Sequence, residues 1–148
     1  MPLGQPQDLV AQAEGYRLLG ISNDAVPAHL YTVTAARRSW AAANPDLVVR
    51  YVRALSAAFA AIHDPAQRGA VVAAIVDITS VLPAIAEQVL ELYSRPGRKV
   101  LPSRGEIDVK GLEQVIALHG EMRNQLKAPL PEAGRFVDLS YLRRAGIQ

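Results

Sequence analysis

Hydrophobic residues recur every three or four positions over most of the chain after Thr34, which is the spacing of an amphipathic helix. The clearest stripe follows Asn44-Pro45-Asp46, a triplet that favours a helix start. Asn is a good cap, Pro is tolerated in the first turn, and Asp complements the positive end of the helix dipole. The stripe consists of Val48, Tyr51, Val52, Leu55, Phe59 and Ile62. These positions predict a helix of about four turns that ends near His63.

Three later segments show helical patterns of their own, and a short helix is predicted from Asp138 onward. The first begins at Asp64-Pro65 and has so few polar residues that we expect it to be buried on more than one face. The others begin at Pro83 and Asp108. Their apolar positions are Val71, Val72, Ile75 and Val76, then Ile85, Val89, Leu92 and Tyr93, and finally Leu112, Val115, Ile116, His119, Met122 and Leu126.

The first quarter of the chain carries the strand signals. A predicted helix over Gln7–Glu14 is followed by Tyr16–Ile21, a short apolar run that predicts a strand ended by a turn at Ser22–Asp24. His29–Thr34 is rich in β-branched and aromatic residues and predicts a second extended segment. The predicted fold class is therefore α/β and helix-dominated, with about six helices and two or three short strands.

Composition excludes several kinds of chemistry. The 148 residues contain no cysteine, which excludes disulfides, thiolate catalysis and cysteine-ligated metal sites. The three histidines are far apart in sequence, and the carboxylates are dispersed, so the pattern indicates no metal site, no cofactor and no acid–base pair. We therefore expect a protein that is not an enzyme and has no catalytic residues.

The charge balance gives no reason to expect a nucleic-acid partner. The net charge is only +2. The most basic segment, Arg95–Arg104, has a single aromatic residue nearby, Tyr93, which already belongs to a helical stripe. A solvated loop is the favoured interpretation of this segment. The N-terminal residues Met1–Asp8 have neither the basic nor the apolar region of a signal peptide, so we expect a cytoplasmic protein if the chain is expressed as written.

Several motifs, taken in order, resemble those of a known family. A strand motif is matched by Gly15, Tyr16, Arg17 and Leu19. Near the end of the sequence, Phe136–Leu142 fits a closing Asp-x-Ser-Tyr-Leu helix. Between them lie ten positions of a helical motif: Ala36, Trp40, Asn44, Pro45, Asp46, Val48, Arg50, Tyr51, Val52 and Ala54. Together they resemble the C-terminal part of the ABC transporter substrate-binding proteins for nitrate, sulfonates, taurine and thiamine-precursor pyrimidines.

The resemblance implies a partial type II periplasmic-binding-protein-like fold. Members of that family have two lobes and a cleaved export signal, and they reach the periplasm. Residues 1–148 correspond to a single C-terminal portion, with the first lobe absent. The implied function is capture of a small organic or oxyanion solute, which the loaded protein delivers to an ABC permease.

The resemblance also implies a set of ligand-binding residues near the cleft between the lobes. They are polar or aromatic residues at the entry of the first helix, after the first strand and on the extended stretch: Gln5, Asn23, Asp24, Tyr31 and Thr32. Each has a plainer alternative, since Gln5 is also suited to capping a helix, Asn23-Asp24 is a common turn pair, and Tyr31 is suited to strand packing.

A second function remains open on the residues alone. The apolar side Val71, Val72, Ile75 and Val76 would be exposed if a lobe were missing, and it would then need a partner. The alternative is a helical protein-interaction module, or a homodimer, without a small-molecule ligand.

Overall fold

The computed structural model describes residues 3–26, 30–95, 100–123 and 129–147. Every regular element in these ranges is helical, and none of these residues forms a β-strand. The α-helices are α1 (Gln7–Ala13), α2 (Ser22–Ala25), α3 (Arg38–Ala43), α4 (Pro45–His63), α5 (Arg68–Thr79), α6 (Pro83–Ser94), α7 (Val109–Arg123) and α8 (Ser140–Ala145), with short 3-10 helices at Pro65–Gln67 and Ala133–Arg135.

The predicted fold class is therefore wrong in its strands and right in its helix dominance. The described residues form no sheet, so the two or three short strands are not found. The partial periplasmic-binding-protein-like fold that the resemblance implies is not supported either. The segments predicted as strands are irregular, at residues 16–21 and 30–34, and His29 lies outside the described residues.

The physical reason is that a strand needs a neighbour. Within the described part of the chain, no backbone hydrogen bond joins residues 17–21 to another segment. Leu19 in this run is 87% exposed. An apolar, β-branched sequence favours extended backbone, but the segment becomes a strand only when another strand satisfies its N–H and C=O groups.

Two of the predicted helix starts are confirmed in detail. The carboxylate of Asp64 accepts a hydrogen bond from the Ala66 backbone N–H at 2.9 Å, at the start of the 3-10 helix before α5. The carboxylates of Asp108 and Asp138 accept in the same way, from the N–H groups of Gly111 and Ser140, each at 3.0 Å. Asp64 and Asp108 therefore cap their segments as the sequence predicts, whereas Asp138 lies one residue before Leu139, the N-cap of α8.

Asn44 behaves differently from the prediction. Its side-chain amide donates to the Trp40 carbonyl oxygen at 2.9 Å, so it satisfies the C-terminal end of α3. Its own backbone carbonyl accepts from Val48 N–H, which is the first bond of α4. Asn44 is thus the residue that joins α3 to α4, and its side chain hydrogen-bonds to a carbonyl oxygen at the end of α3.

The chain divides into two compact units. The first comprises Met1–Ile21 with Ala57–Arg104, and the second comprises Ser22–Ser56 with Gly105–Gln148. In the first unit α5 packs on α6, whose Ala86 and Leu90 are buried. In the second unit α7 packs on the 3-10 helix Ala133–Arg135, and the buried apolar residues are Ala41, Val49, Ile116, Ala133 and Ile147.

Helix α5 is much less buried than its sequence predicts. None of its residues is buried, and Val71, Val72, Ile75 and Val76 are only half-buried against neighbouring residues. Ile78, near its end, is 81% exposed. Residue Leu126 of the predicted α7 stripe lies outside the described residues, and α7 as described ends at Arg123.

Candidate functional site

Gln5 lies in the first unit, and both ends of its side-chain amide have protein partners. Its side-chain amide donates to the Asp8 carboxylate at 2.9 Å, and its side-chain oxygen accepts from the Tyr93 hydroxyl at 3.1 Å. Asp8 in turn accepts from the Leu9 backbone N–H at 2.8 Å. Gln5 therefore ties the start of α1 to the last turn of α6, and its side chain does not cap α1.

Asn23 and Asp24 lie in the second unit, on the single helical turn α2. The sequence predicts a turn at Ser22–Asp24, and the structure has a single turn of α-helix there. Asp24 is exposed and lies within the first turn of α2, where a carboxylate is favoured by the N–H groups at a helix start.

Tyr31 and Thr32 also lie in the second unit, on an irregular segment that runs from Leu30 to α3. Residues 31–37 are all exposed, with Tyr31 at 73%. The segment is tied to α4 by a hydrogen bond of 3.2 Å between the hydroxyls of Thr34 and Tyr51. Sequence reasoning assigned Tyr51 to the apolar stripe of its helix and did not find this contact, since nothing local to either residue indicates the other.

The second unit contains an open hollow that the sequence did not predict. Its volume is about 390 Å³, and Ile116 and Ala133 form its buried apolar floor. Glu113 and Glu132 supply exposed carboxylates at its edge. The remaining lining residues are Val109, Leu130, Pro131 and Gly134. None of the predicted ligand residues of this unit whose side chains are described (Asp24, Tyr31 and Thr32) lines this hollow.

The helices that carry two of the three motifs, α4 and α8, contact each other in the second unit. Asp46, in the first turn of α4, lies 3.1 Å from the guanidinium of Arg144 on α8, although the two residues are 98 positions apart. The Arg53 guanidinium donates to the Arg144 carbonyl oxygen at 3.2 Å. The Asn-Pro-Asp helix and the Asp-x-Ser-Tyr-Leu helix are therefore in direct contact.

The neighbours of the Asp138 carboxyl lower its pKa. Hydrogen bonds from the side chain and the backbone N–H of Ser140 hold the pKa of Asp138 below its usual range, with further help from the positive charges of Arg38 and Arg143. The group is exposed, so its lowered pKa reflects local hydrogen bonding and does not indicate a catalytic acid.

Metal ligands are not grouped in the part of the chain that the structure describes: no three His, Asp or Glu side chains come close enough to hold an ion. The Pro102 carbonyl oxygen instead accepts a hydrogen bond of 3.2 Å from the His63 ring nitrogen Nε2.

Of the basic segment Arg95–Arg104, Arg98 and Lys99 lie outside the described residues. No single described helix is long and apolar enough to cross a membrane.

Comparison with known proteins adds no relative. No protein-family model matches the chain, and no curated protein or solved structure shows significant similarity to it.

Proposed function

We propose that the chain acts as part of the solute-binding component of an ABC importer for a small organic or oxyanion solute, such as a sulfonate, nitrate or a pyrimidine precursor. The proposal takes over the role that the motif order implies and not the family's sheet, since the described residues form none. A small-molecule solute and an ABC permease are the partners in this proposal.

The observation that carries the proposal is the contact between Asp46 and Arg144. Asp46, in the Asn-Pro-Asp motif, forms an ion pair of 3.1 Å with Arg144, two positions past the closing motif, and Arg53 donates a hydrogen bond to the Arg144 carbonyl oxygen. This contact connects the helix of the Asn-Pro-Asp motif to α8, which contains the last three residues of the closing motif. It supports the proposal that both helices belong to one structural unit.

The candidate ligand residues of the second unit are compatible with solute capture. Tyr31 and Asp24 are exposed to solvent, as contact with a solute requires, and the Asp24 carboxylate suits an amino group such as that of an aminopyrimidine. Gln5 is the weakest of the five candidates, because both ends of its amide already have protein partners. Ligand binding by Gln5 would require these bonds to be broken.

Thermal unfolding in the presence of candidate solutes tests the proposal. A ligand at about one hundred times its Kd stabilises the folded chain by about 2.7 kcal/mol, which raises the Tm by several degrees. We expect such a shift with a sulfonate, nitrate or an aminopyrimidine, and none with sodium chloride at the same ionic strength. An unchanged Tm with all three solute classes at millimolar concentration would contradict solute binding.

A second candidate function is a helical interaction module that forms a homodimer. It is favoured by the exposed apolar corner where α5 ends and α6 begins, at which Ile78 is 81% and Leu82 is 72% exposed. Exposed apolar surface of this kind marks an interaction site where it forms a contiguous patch. Size-exclusion chromatography with light scattering tests it: a dimer that Ile78→Glu converts to monomer supports this function, and a monomer at every concentration excludes it.

A further inference from the structure

Residues 32–36 form a stretch of backbone that has no neighbouring strand. The chain from Leu30 to Arg37 makes neither a turn nor a bend, and residues 31–37 are exposed. Within the described residues, no hydrogen bond joins a backbone N–H or C=O group of residues 32–36 to another group of the protein. We call residues 32–36 the unpaired segment.

The unpaired segment is held in place along its length by other elements of the second unit. Leu30, just before it, lies against α7, since a Cβ on Gly111 would be 2.9 Å from the Leu30 backbone nitrogen. Within it, the Thr34 hydroxyl is 3.2 Å from the Tyr51 hydroxyl on α4. Arg37, just after it, has extended backbone and leads into α3. A segment held in advance loses little further freedom when another strand pairs with it.

The side chains of this stretch favour pairing with another strand. Threonine, valine and tyrosine are all strand-forming residues. In extended backbone, Thr32 and Thr34 share one side and Tyr31 and Val33 share the other. Because Thr34 contacts α4, the side of Tyr31 and Val33 faces away from that helix, and these residues are 73% and 50% exposed. A strand that pairs here would cover apolar surface as well as backbone groups.

We propose that the unpaired segment pairs with the same segment of a second copy of the chain, as two antiparallel strands related by a twofold axis at Val33. Thr32 of each copy then lies opposite Thr34 of the other, which is a favourable cross-strand pair. Tyr31 of each copy lies diagonally across from Val33 of the other, an aromatic and β-branched pair. This inference goes beyond the proposed function and does not depend on solute binding.

The symmetry of the segment favours a second copy as the partner. Thr32-Val33-Thr34 reads the same in both directions, so one twofold arrangement gives both chains identical cross-strand partners. Both copies bring a row of N–H and C=O groups without protein partners, so the donors and acceptors of each satisfy those of the other. A helical surface has no such row to offer, because its backbone groups already bond within the helix.

The positions of the charges favour antiparallel over parallel pairing. No charged residue lies between Tyr31 and Ala36, so the paired region buries no ion. Parallel pairing in register would place Arg37 and Arg38 beside the same arginines of the other copy, and like charges directly opposite are destabilising. Antiparallel pairing places the arginines of the two copies at opposite ends of the paired strands.

Analytical ultracentrifugation over a concentration series tests the proposal with two proline variants. N–H groups of successive residues point to opposite edges of a strand, so Thr32→Pro blocks one edge and Val33→Pro blocks the other. Neither N–H is bonded within the described chain, so neither variant removes an internal hydrogen bond. We expect a reversible wild-type dimer that one of the two variants weakens at least about tenfold, because two bonds between the strands are lost per dimer.

Leu19→Pro is the matched control. It makes the same substitution in residues 17–21 of the first unit, whose described backbone also has no hydrogen bond to another segment, and Leu19 is 87% exposed. It should change the dimer dissociation constant less than about twofold. Hydrogen exchange gives a readout that side-chain contacts alone would not move. Amides of residues 32–36 should exchange more slowly when the dimer forms, and those of residues 17–21 should not.

Three results would overturn the proposal: a monomer at every concentration, a dimer that both Thr32→Pro and Val33→Pro leave unchanged, or equal weakening by Leu19→Pro. A dimer that Ile78→Glu dissociates while the amides of residues 32–36 stay unprotected would also overturn it, since that dimer would use the corner of α5 and α6. Circular dichroism establishes that each variant is folded.

A peptide of residues 30–37 keeps the proposal testable if the proline variants do not fold. Added to the wild-type chain, the peptide should compete for the unpaired segment and dissociate the dimer. The same peptide N-methylated at Thr32 and Val33 has the same side chains but cannot donate these N–H groups on either edge. It should dissociate the dimer at least about tenfold less effectively. Equal effects of the two peptides would overturn the proposal.

Discussion

The Arg144 guanidinium lies 3.1 Å from the Asp46 carboxylate and joins the last helix to the first turn of α4 across 98 positions of sequence. Both side chains are open to solvent, with 48% and 91% of their surfaces exposed. Exposed pairs of this kind contribute little to stability because water screens the charges and the side chains lose freedom. This contact therefore indicates how the elements are arranged and contributes little to holding them together.

We accordingly predict a small coupling energy between these two residues. In a double-mutant cycle of Arg144→Ala and Asp46→Ala, followed by urea unfolding, the coupling should be about 0.2–1 kcal/mol at low salt. It should fall further in about 1 M sodium chloride, where charges are screened within a few ångströms. A coupling above about 2 kcal/mol, or one that salt does not change, would contradict this description.

Two helical glycines should respond to alanine in opposite directions. A Cβ on Gly111 of α7 would lie 2.9 Å from both the Asp108 carboxylate and the Leu30 backbone nitrogen. Because one of these atoms is backbone, Gly111→Ala should reduce the free energy of unfolding by about 1–3 kcal/mol.

Gly69 of α5 is the matched control, since nothing lies within 4 Å of a Cβ placed there. Gly69→Ala should therefore stabilise the chain by up to about 1 kcal/mol through the helix preference of alanine. Urea unfolding measures both variants, and a Gly111→Ala variant as stable as wild type would show that Leu30 does not lie against α7.

Two leucines of the first unit test where its core lies. Leu90 of α6 is only 3% exposed, whereas Leu82, just before α6, is 72% exposed. Leu90→Ala should reduce the free energy of unfolding by about 2–5 kcal/mol because it leaves a cavity. Leu82→Ala should change it by less than about 0.5 kcal/mol. Equal costs for the two variants would be inconsistent with the packing of α6.

Asp138 should make stability depend on pH in the acid range. Its pKa is lowered in the folded chain by the Ser140 hydrogen bonds and then by Arg38 and Arg143. The stabilisation is therefore complete above its unfolded pKa of about 3.9 and is lost as the pH falls through the lower folded value. Asp138→Asn should destabilise the chain at neutral pH, and this difference should narrow below about pH 4.

Urea unfolding of wild type and Asp138→Asn at a series of pH values measures the effect. Ser140→Ala is the informative companion variant, because it removes the hydroxyl and keeps the backbone N–H that binds Asp138. The free energy of unfolding of Ser140→Ala should depend less on pH than that of wild type. If the free energy of unfolding of wild type exceeds that of Asp138→Asn by the same amount down to about pH 2, the pKa of Asp138 is not lowered in the folded chain.

Local features of this chain could be predicted from sequence, because they depend on neighbouring residues. The carboxylates of Asp64, Asp108 and Asp138 each bind an N–H two or three positions further along, so the sequence alone contains both partners. The start of α4 at Pro45 follows from the same short-range rules, even though the Asn44 side chain serves the preceding helix.

Features that depend on distant partners could not be predicted in this way. The run Tyr16–Ile21 has strand-forming residues, but pairing requires a second segment that no local pattern supplies. The expected burial of α5 failed for a related reason, because apolarity indicates that a helix favours burial and not that a surface is available to bury it. The contact of Thr34 with Tyr51 and the hollow beside α7 likewise depend on tertiary packing.

Isothermal titration calorimetry of the chain with a sulfonate, nitrate and an aminopyrimidine tests the proposed solute binding most directly. We predict a saturable heat with one-to-one stoichiometry for one of these solutes, with an affinity at least about tenfold weaker in Tyr31→Ala. Tyr16→Ala is the control, since Tyr16 is 70% exposed against 73% for Tyr31 and is outside the candidate site. Dilution heats alone for all three solutes, or equal losses in the two variants, would contradict the account.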